Sequence, residues 1–359
     1  MPADSVFNDM DMLNPMLIRA DASSAIGSGH AMRCLALAKA WQRVGGRVCY
    51  LTAESIAAVD ERLAAENIEQ QRMSVQPGTS EDAEQTVAWA RRLEAKWVVI
   101  DGYRFKQDYI HQLKASGLRV LVLDDDARFA FYEADVVFNQ NIDAQAETYR
   151  VAAGTQLLLG AKYVLIRPEF LAGRTQAHIA GVARKLLVTM GGSDPGDVTS
   201  RVVRALSRLD ADFLDADVEV MVVVGGGNPR YESLQAQVRG LPIKIRLEKN
   251  LENMAPVMRW ADLAISAAGG TCWELAFLGI PMIVITISRD QERTASAIAT
   301  AGAAVGLGWH ADLSEDQIRD AVRSLANDTE ARSVMSERGQ KLIDGQGAAR
   351  VVEFLRSRV

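Results

Sequence analysis

Cysteine is scarce in this chain of 359 residues, and the sequence has no long apolar run. The three cysteines, Cys34, Cys49 and Cys272, lie far apart inside apolar segments, so we expect buried thiols in a reducing compartment. No segment approaches the ~18 apolar residues that a membrane-spanning helix needs. The first fifteen residues also lack the basic, apolar pattern of a signal peptide. We therefore expect a cytoplasmic protein without a membrane partner.

Histidine is also scarce, and acidic residues outnumber basic ones. The net charge is -6 at pH 7, and the sequence contains neither a basic tract nor a basic amphipathic helix. This balance argues against nucleic acid as a partner, so an anionic ligand must be held by local groups. The four histidines are scattered without the spacing of metal ligands, and we predict no metal site and no cofactor. They are His30, His111, His178 and His310.

The length suits two domains of about 150 to 200 residues each. Short apolar strands, glycine turns and helices follow one another from Met16 and start again at Lys185. This repetition predicts an α/β fold with two Rossmann-like domains, 16–170 and 185–340, that face each other across a cleft. Residues 171–184 are interpreted as a connector and 341–359 as a C-terminal helix. Residues 1–15 are interpreted as a disordered extension or as the product of an upstream start.

The first strand leads into a glycine turn that contains a histidine. Met16-Leu17-Ile18 predicts a strand, and the segment from Ala36 to Trp41 has helical spacing. Gly27-Ser28-Gly29-His30 therefore lies where a strand passes into a helix, at the end of an open sheet where such folds bind ligands. The alternative is a capping turn whose histidine only packs.

Polar residues also follow later strands of the first half. They include Asp101-Gly102-Tyr103, Asp124-Asp125-Asp126 and Asn139-Gln140-Asn141. The three consecutive aspartates could hold Mg²⁺ against a diphosphate, but we interpret them as a solvated strand end or a helix cap. Tyr103 has two open interpretations, a core aromatic or a site residue.

A second turn of small residues precedes a helix in the second half. The strand before Ser266 passes through Gly269 and Gly270 into a helix that begins at Thr271 or Cys272. Free amides at this turn can bind phosphate oxygens, and the helix dipole favours the negative charge. Glu274, in the first helical turn, is placed to accept hydrogen bonds from ribose hydroxyls. Its alternative role is to complement the helix dipole.

Several motifs occur in one order along residues 17–307. They are Arg19-Ala20-Asp21-Ala22-Ser23, Gly27-x-Gly29-His30-x-x-Arg33-Cys34, Asp101-Gly102-Tyr103 before Asp108-Tyr109, Asn139-Gln140-Asn141, Arg167-Pro168-Glu169-Phe170, Gly191-Gly192-Ser193-Asp194-Pro195 and the turn from Ser266 to Glu274. With these motifs the chain resembles the PseG/SpsG family of nucleotide-sugar hydrolases, relatives of the MurG-type glycosyltransferases with the GT-B fold. The resemblance implies removal of UDP from UDP-2,4-diacetamido-2,4,6-trideoxyhexose (UDP-6-deoxy-AltdiNAc) in pseudaminic acid biosynthesis.

The same resemblance implies roles for single residues. His30 is implied as the catalytic group, and UDP is implied to lie on the turn from Gly269 to Glu274, with uracil against the backbone of residues 251–254. The other implied substrate-binding residues are Arg19, Asp21, Gly29, Arg33, Asp101, Tyr103, Asn141, Gly192, Ser193, Gly269, Gly270, Thr271, Glu274 and Gln291. Asp290 stands where the family commonly has Asn, so the usual sugar contact of this loop rests on Gln291. The resemblance also implies that the C-terminal helix packs back on the first domain.

The implied chemistry makes physical sense, and two alternatives stay open. An imidazole, with a reference pKa of about 6.5, can accept a proton from water at neutral pH. We expect direct displacement at the anomeric carbon with inversion, without a metal. One alternative is a GT-B glycosyltransferase in which His30 deprotonates an acceptor hydroxyl. The other is a non-catalytic protein that binds a nucleotide sugar.

Overall fold

The apolar runs of the sequence form strands that are buried on both faces of parallel sheets. The computed structural model describes residues 13–23, 26–172, 174, 179–209 and 217–358. In β1 (Met16–Ala20) every residue is buried. Met16 and Ile18 contribute to the core on one face of the sheet, whereas Leu17 contributes to the core on the other. Such two-sided burial is typical of a parallel sheet covered by helices.

The first lobe, as we call the first sheet with its helices, has seven strands in the order β3-β2-β1-β4-β5-β6-β7. All pairs of neighbouring strands in this sheet are parallel. Its elements are β1, α1 (Gly29–Arg43), β2 (Val48–Thr52), α2 (Ala57–Ala65), β3 (Glu69–Arg72), α3 (Ser80–Arg92), β4 (Trp97–Asp101), α4 (Gln107–Ala115), β5 (Arg119–Leu123), β6 (Val136–Asn139) and β7 (Gln156–Leu159).

The second lobe has six parallel strands in the order β10-β9-β8-β11-β12-β13. It follows the short helix α5 (Pro168–Leu171). Its elements are β8 (Lys185–Thr189), α6 (Val198–Leu206), β9 (Glu219–Val224), α7 (Tyr231–Val238), β10 (Lys244–Lys249), α8 (Ala255–Trp260), β11 (Leu263–Ala267), α9 (Thr271–Leu278), β12 (Met282–Thr286), α10 (Glu292–Thr300), β13 (Val305–Trp309), α11 (Glu315–Asn327) and α12 (Thr329–Leu342). The predicted fold class, two Rossmann-like α/β domains, is confirmed.

In both sheets the strand order reverses beside the first strand of the lobe. In the first lobe β1 lies between β2 and β4, and in the second β8 lies between β9 and β11. At such a switch point the loops after the two central strands run in opposite directions and leave a crevice. The topology therefore places the two glycine turns, which follow β1 and β11, at the crevices of their sheets.

The second helix is shorter than the sequence pattern predicts. Helical spacing predicts a helix from Ile56 to Arg72 and a strand after it, but α2 ends at Ala65 and residues 69–72 already form β3. Asn67 adopts a left-handed conformation with φ of 54°, and the amide of Ile68 donates to the carbonyl of Leu63 at 2.9 Å. This is the hydrogen-bond pattern of a Schellman C-cap, which ends a helix. The prediction of a helix to Arg72 is wrong.

Some predictions fall on residues outside the described ranges. They concern residues 1–12 of the proposed extension and residues 173 and 175–178 of the connector, including His178. The domain limits drawn from the sequence stay predictions.

The last helix of the chain, α13 (Gly347–Arg356), packs in the first lobe. Val351 and Leu355 are fully buried in the same core as Trp41 of α1. The indole Nε1 of Trp97 on β4 donates to the carbonyl of Leu355 at 3.2 Å. The C-terminal segment is thus part of the core beneath the first glycine turn.

We expect Leu355→Ala to destabilise the protein by about 2–5 kcal/mol, because it removes a fully buried side chain and leaves a cavity. Urea unfolding followed by circular dichroism measures the change. Glu353→Ala, an exposed position on the same helix, is the matched control and should change stability by less than about 0.5 kcal/mol. Equal midpoints for the two variants would contradict the packing of α13.

Candidate active site

His30 lies in the first turn of α1, directly after the first glycine turn. Its side chain is 12% exposed, and its Nδ1 lies 2.6 Å from Oδ1 of Asp101. Asp101 is the last residue of β4 and pairs in register with Ala20 of β1. A neutral imidazole has one N–H, and the contact with a carboxylate places that proton on Nδ1. Nε2 therefore keeps its lone pair and can act as a base.

Arg33 holds the other side of the Asp101 carboxylate. Its Nε and Nη2 donate to Oδ2 and Oδ1 of Asp101, each at 2.6 Å, in a bidentate pair. Its Nη1 donates to Asp125 at 2.8 and 2.9 Å. Arg33 Nη2 also lies 3.1 Å from His30 Nδ1. Arg33 Nη2 nevertheless donates to Oδ1 of Asp101, which is closer and negatively charged. Arg33 thus ties the loop after β5 to the carboxylate that orients His30.

Asp101 is a carboxylate throughout the neutral pH range. Its side chain is fully buried, and burial by itself raises the pKa of a carboxyl group. The guanidinium of Arg33 and, next, His30 outweigh the burial and hold the pKa of Asp101 well below its usual range. A fixed negative charge therefore faces the Nδ1 side of the imidazole and stabilises the imidazolium that forms when Nε2 takes a proton.

Tyr103 packs edge-on against His30 with ring centroids 5.0 Å apart. It is 45% exposed, so it is a surface side chain rather than a core aromatic. Burial raises the pKa of its phenol, and the carboxylate of Asp125 raises that pKa further. Asp290 of the second lobe acts in the same direction, which shows that the loop after β12 approaches this tyrosine.

Asn141 joins the same group of loops after the strands of the first lobe. Its Nδ2 donates to the carbonyl of Asp125 at 3.3 Å, and its amide donates to Asn139 Oδ1 at 2.9 Å. The structure therefore brings together five predicted site residues from three segments of the chain. They are His30, Arg33, Asp101, Tyr103 and Asn141.

Arg19 and Asp21 belong to a separate buried network. Arg19 is fully buried and donates from Nε and Nη2 to Asp82, both at 2.9 Å, and from Nη1 to Asp21 at 2.6 Å. Asp21 also accepts from the amides of Ala53 and Glu54 at 2.8 and 3.0 Å. These contacts hold the loops after β1 and β2. They do not place either residue in the group around His30.

The three consecutive aspartates have three different environments. Asp124 is buried and accepts a hydrogen bond from the hydroxyl of Tyr132, Asp125 pairs with Arg33, and Asp126 is exposed. The interpretation as a solvated strand end therefore fits Asp126 alone. In the part of the chain that the structure describes, no group of three or more His, Cys, Asp or Glu side chains is arranged to hold a metal ion.

In the second lobe, the turn after β11 presents the N-terminus of α9. Gly270 is the N-cap residue and offers no side-chain cap. Ser266 of β11 pairs with Thr189 of β8, so the loop with Gly192 and Ser193 ends beside the turn with Gly269, Gly270 and Thr271. A Cβ at Gly269 would lie 3.7 Å from Nε2 of Gln291. The structure therefore gathers these six predicted residues at one edge of the sheet.

Glu274 has a partner that sequence reasoning missed. It is 8% exposed, and Arg167 donates to its two carboxylate oxygens from Nε at 2.6 Å and Nη2 at 3.0 Å. Arg167 directly precedes α5, the segment that leads from one lobe to the other. The motif Arg167-Pro168 marks the arginine in the sequence, but only the fold shows its contact with a residue 107 positions away.

The carboxyl ends of the two sheets face each other. Arg293 of α10 donates to Asp143, in the loop after β6, at 2.8 Å. Arg62 of α2 donates to the carbonyl of Glu252 in the second lobe at 2.9 Å. A cavity of about 540 Å³ lies between residues 142–143 of the first lobe and α10. The contacts of Arg293 and Arg62 thus bring loops at the carboxyl ends of the two sheets together.

Comparison with known proteins gives the chain both sequence relatives and structural neighbours. A family profile described as "Glycosyltransferase family 28 C-terminal domain" matches residues 186–350. The spore coat polysaccharide biosynthesis protein SpsG of Bacillus subtilis is 27% identical over 248 residues, which cover 66% of this chain and 72% of that protein. The UDP-2,4-diacetamido-2,4,6-trideoxy-beta-L-altropyranose hydrolase of Campylobacter jejuni is 26% identical over 290 residues, 80% of this chain and 97% of that enzyme.

The crystal structure of MurG from Acinetobacter baumannii superposes with a TM-score of 0.66 at 18% identity, over 96% of this chain and 99% of that one. This likeness shows the GT-B fold. Among the described residues, none of the helices is both long and apolar enough to cross a membrane.

We expect Asp101→Asn to destabilise the protein by about 3–5 kcal/mol at pH 7, because it removes the buried carboxylate that pairs with Arg33 and leaves that arginine only Asp125. The folded-state pKa of Asp101 is depressed, so its stabilising contribution is complete above the unfolded pKa of about 4 and declines as pH falls below it. The difference in the free energy of unfolding between wild type and variant should therefore become smaller between pH 5 and about pH 3. Urea unfolding at pH 7, 5 and 3 tests this, and a difference that is independent of pH would contradict it.

Proposed function

Because the chain belongs to the PseG/SpsG-like family of GT-B proteins, we propose that it is a hydrolase that removes UDP from a UDP-2,4-diacetamido-2,4,6-trideoxyhexose. The observation that supports this most strongly is the Asp101–His30 pair at the carboxyl end of the first sheet, while the uncapped N-terminus of α9 lies at the carboxyl end of the second sheet. The sugar we favour is UDP-6-deoxy-AltdiNAc, a precursor of pseudaminic acid. It is the substrate class named in the Campylobacter jejuni relative.

The nucleotide half of the substrate is proposed to bind the second lobe. Free amides at Gly270 and Thr271 offer donors to the diphosphate, and the dipole of α9 adds favourable charge. Glu274 accepts from the ribose hydroxyls, and Arg167 holds its carboxylate in one orientation. Gly192 and Ser193 border the diphosphate, while Gln291, which lies over Gly269, reaches the sugar.

The chemical step is proposed to take place at His30. Nε2 of His30 takes a proton from a water molecule as the water oxygen attacks the anomeric carbon. The bond between that carbon and the β-phosphate oxygen breaks, and its electron pair leaves with UDP. Attack from the side opposite the leaving group inverts the anomeric centre and forms no covalent enzyme intermediate. Asp101 stabilises the imidazolium, and Tyr103 limits where the ring can turn.

Amide donors and the helix dipole stabilise the departing diphosphate in this proposal, so the reaction needs no metal ion. Two of the three aspartates that could bind Mg²⁺ have protein partners: Asp124 accepts a hydrogen bond from Tyr132, and Asp125 pairs with Arg33. These contacts support a reaction without a metal ion. The proposed enzyme is cytoplasmic and acts on a small molecule.

The wild-type protein should release UDP from this substrate in the absence of any acceptor and in the presence of EDTA. His30→Asn should lower the turnover by roughly 10²–10⁴, the usual contribution of a general base, while UDP binds with unchanged affinity. His111→Ala is the matched control, because His111 is an exposed histidine paired with Glu133. A coupled assay for UDP measures the rate. Full activity of His30→Asn would refute its role as base, and UDP release only on addition of an acceptor would favour a glycosyltransferase.

Glu274→Ala should abolish discrimination between UDP and 2′-deoxy-UDP, since the ribose hydroxyls then lose their acceptor. We expect the wild type to bind UDP about tenfold more tightly than the deoxy analogue, as one charged hydrogen bond allows. Isothermal titration calorimetry gives both affinities. Glu232→Ala, an exposed glutamate on α7 of the same lobe, should keep the discrimination. Equal discrimination by Glu274→Ala and wild type would remove Glu274 from the ribose site.

A further inference from the structure

Arg128 is a largely buried cation whose hydrogen-bond donors are not used. Its Nε and Nη2 are buried and have no hydrogen-bond partner. The nearest carboxylate oxygen, Oδ1 of Asp124, lies 3.7 Å from Nε, which is too far for a hydrogen bond, and Asp124 already accepts from Tyr132. Buried donors in folded proteins are nearly always bonded, because an unpaired one costs free energy. These donors therefore call for an acceptor that a ligand supplies.

The position of Arg128 connects it to the reaction centre. Its guanidinium carbon lies 5.5 Å from the ring centroid of Tyr103 and 4.9 Å from that of Phe129. The Tyr103 ring also packs edge-on with His30, with ring centroids 5.0 Å apart. Arg128 and His30 thus both lie beside the ring of Tyr103. The side chain keeps 16% of its surface exposed, and since no hydrogen bond fixes the guanidinium, it can turn toward a ligand without breaking one.

The charges around Arg128 favour a neutral acceptor over an anionic one. Asp124 lies beside its Nε, and Asp126 interacts with it electrostatically. A carboxylate or phosphate on the sugar would meet these two negative groups as well as the cation. A carbonyl oxygen carries no net charge and has two lone pairs that fit the guanidinium fork. A hydroxyl fits less well, because it also carries a proton that needs an acceptor.

We propose that Arg128 is a specificity-determining residue that donates hydrogen bonds to the carbonyl oxygen of an acylamino substituent on the sugar. The methyl group of that substituent then packs against the rings of Tyr103 and Phe129. This inference rests on the proposed function, since it assumes a nucleotide sugar in the cleft with its anomeric carbon near His30. In this proposal Arg128 alone discriminates between acylamino sugars and their hydroxyl analogues.

The test measures binding in a His30→Ala background, so that the nucleotide sugar stays intact whether or not the protein is a hydrolase. The probes are the UDP-2,4-diacetamido-2,4,6-trideoxyhexose, its analogue with hydroxyls at C2 and C4, and UDP alone. Adding Arg128→Met should weaken binding of the diacetamido sugar about 10- to 100-fold, as expected for loss of a charged hydrogen bond. Affinity for UDP and for the dihydroxy analogue should change less than about twofold.

Arg150→Met, an exposed arginine of the same lobe, is the control and should leave all three affinities unchanged. Arg128→Lys keeps the positive charge and the aliphatic part of the side chain but loses the two parallel N–H donors of the guanidinium, so it should bind the diacetamido sugar with intermediate affinity. If Arg128→Met does not fold, Arg128→Lys takes its place in the comparison. An equal loss for all three probes, or no loss for the diacetamido sugar, would overturn the proposal. If the wild type released no UDP, only the proposed hydrolase activity would be refuted. The proposed role of Arg128 would stand, because it is tested by binding affinities that do not depend on turnover.

Discussion

The contact on which the site depends is the buried carboxylate of Asp101, held by Arg33 on one side and facing His30 on the other. Burial would favour its neutral form, and the bidentate guanidinium of Arg33, with His30 as the second contribution, keeps it charged. Because the charge is fixed at the end of β4, the imidazole of His30 in the first turn of α1 has one favourable orientation. The same arginine reaches Asp125. One ion-pair network therefore sets the positions of three loops and the tautomer of the proposed base.

The second lobe repeats this arrangement for a different purpose. Its strand order reverses at β8 as that of the first lobe reverses at β1, and a carboxylate again stands at the crevice with a bidentate arginine. The pair is Glu274 with Arg167, and the arginine lies in the segment that leads between the lobes. In the account proposed here, the first lobe holds the groups that activate water and the second holds the leaving group. The cleft brings these two functions together.

Much of the fold could be predicted from the sequence because its signals are local. Buried parallel strands can be recognised as short apolar runs. His30 and Glu274 each follow a strand and a glycine turn at the start of a helix, and this succession predicts that they lie at the ends of the sheets. The partners of Arg19 and Glu274 could not be predicted, since they come from distant positions. Arg19 bonds Asp82, 63 residues away, and Glu274 bonds Arg167, 107 residues away. The end of α2 was missed because it carries no glycine, the usual residue of a helix C-cap, and the less common Asn67 takes the left-handed conformation instead.

The central claim is that His30, oriented by Asp101, delivers water to the anomeric carbon. Hydrolysis of the nucleotide sugar in water enriched in oxygen-18, followed by mass spectrometry of both products, tests this most directly. The account predicts that the label enters the anomeric hydroxyl of the released sugar and that UDP carries none. Label in the β-phosphate of UDP would mean attack at phosphorus, and it would contradict the account.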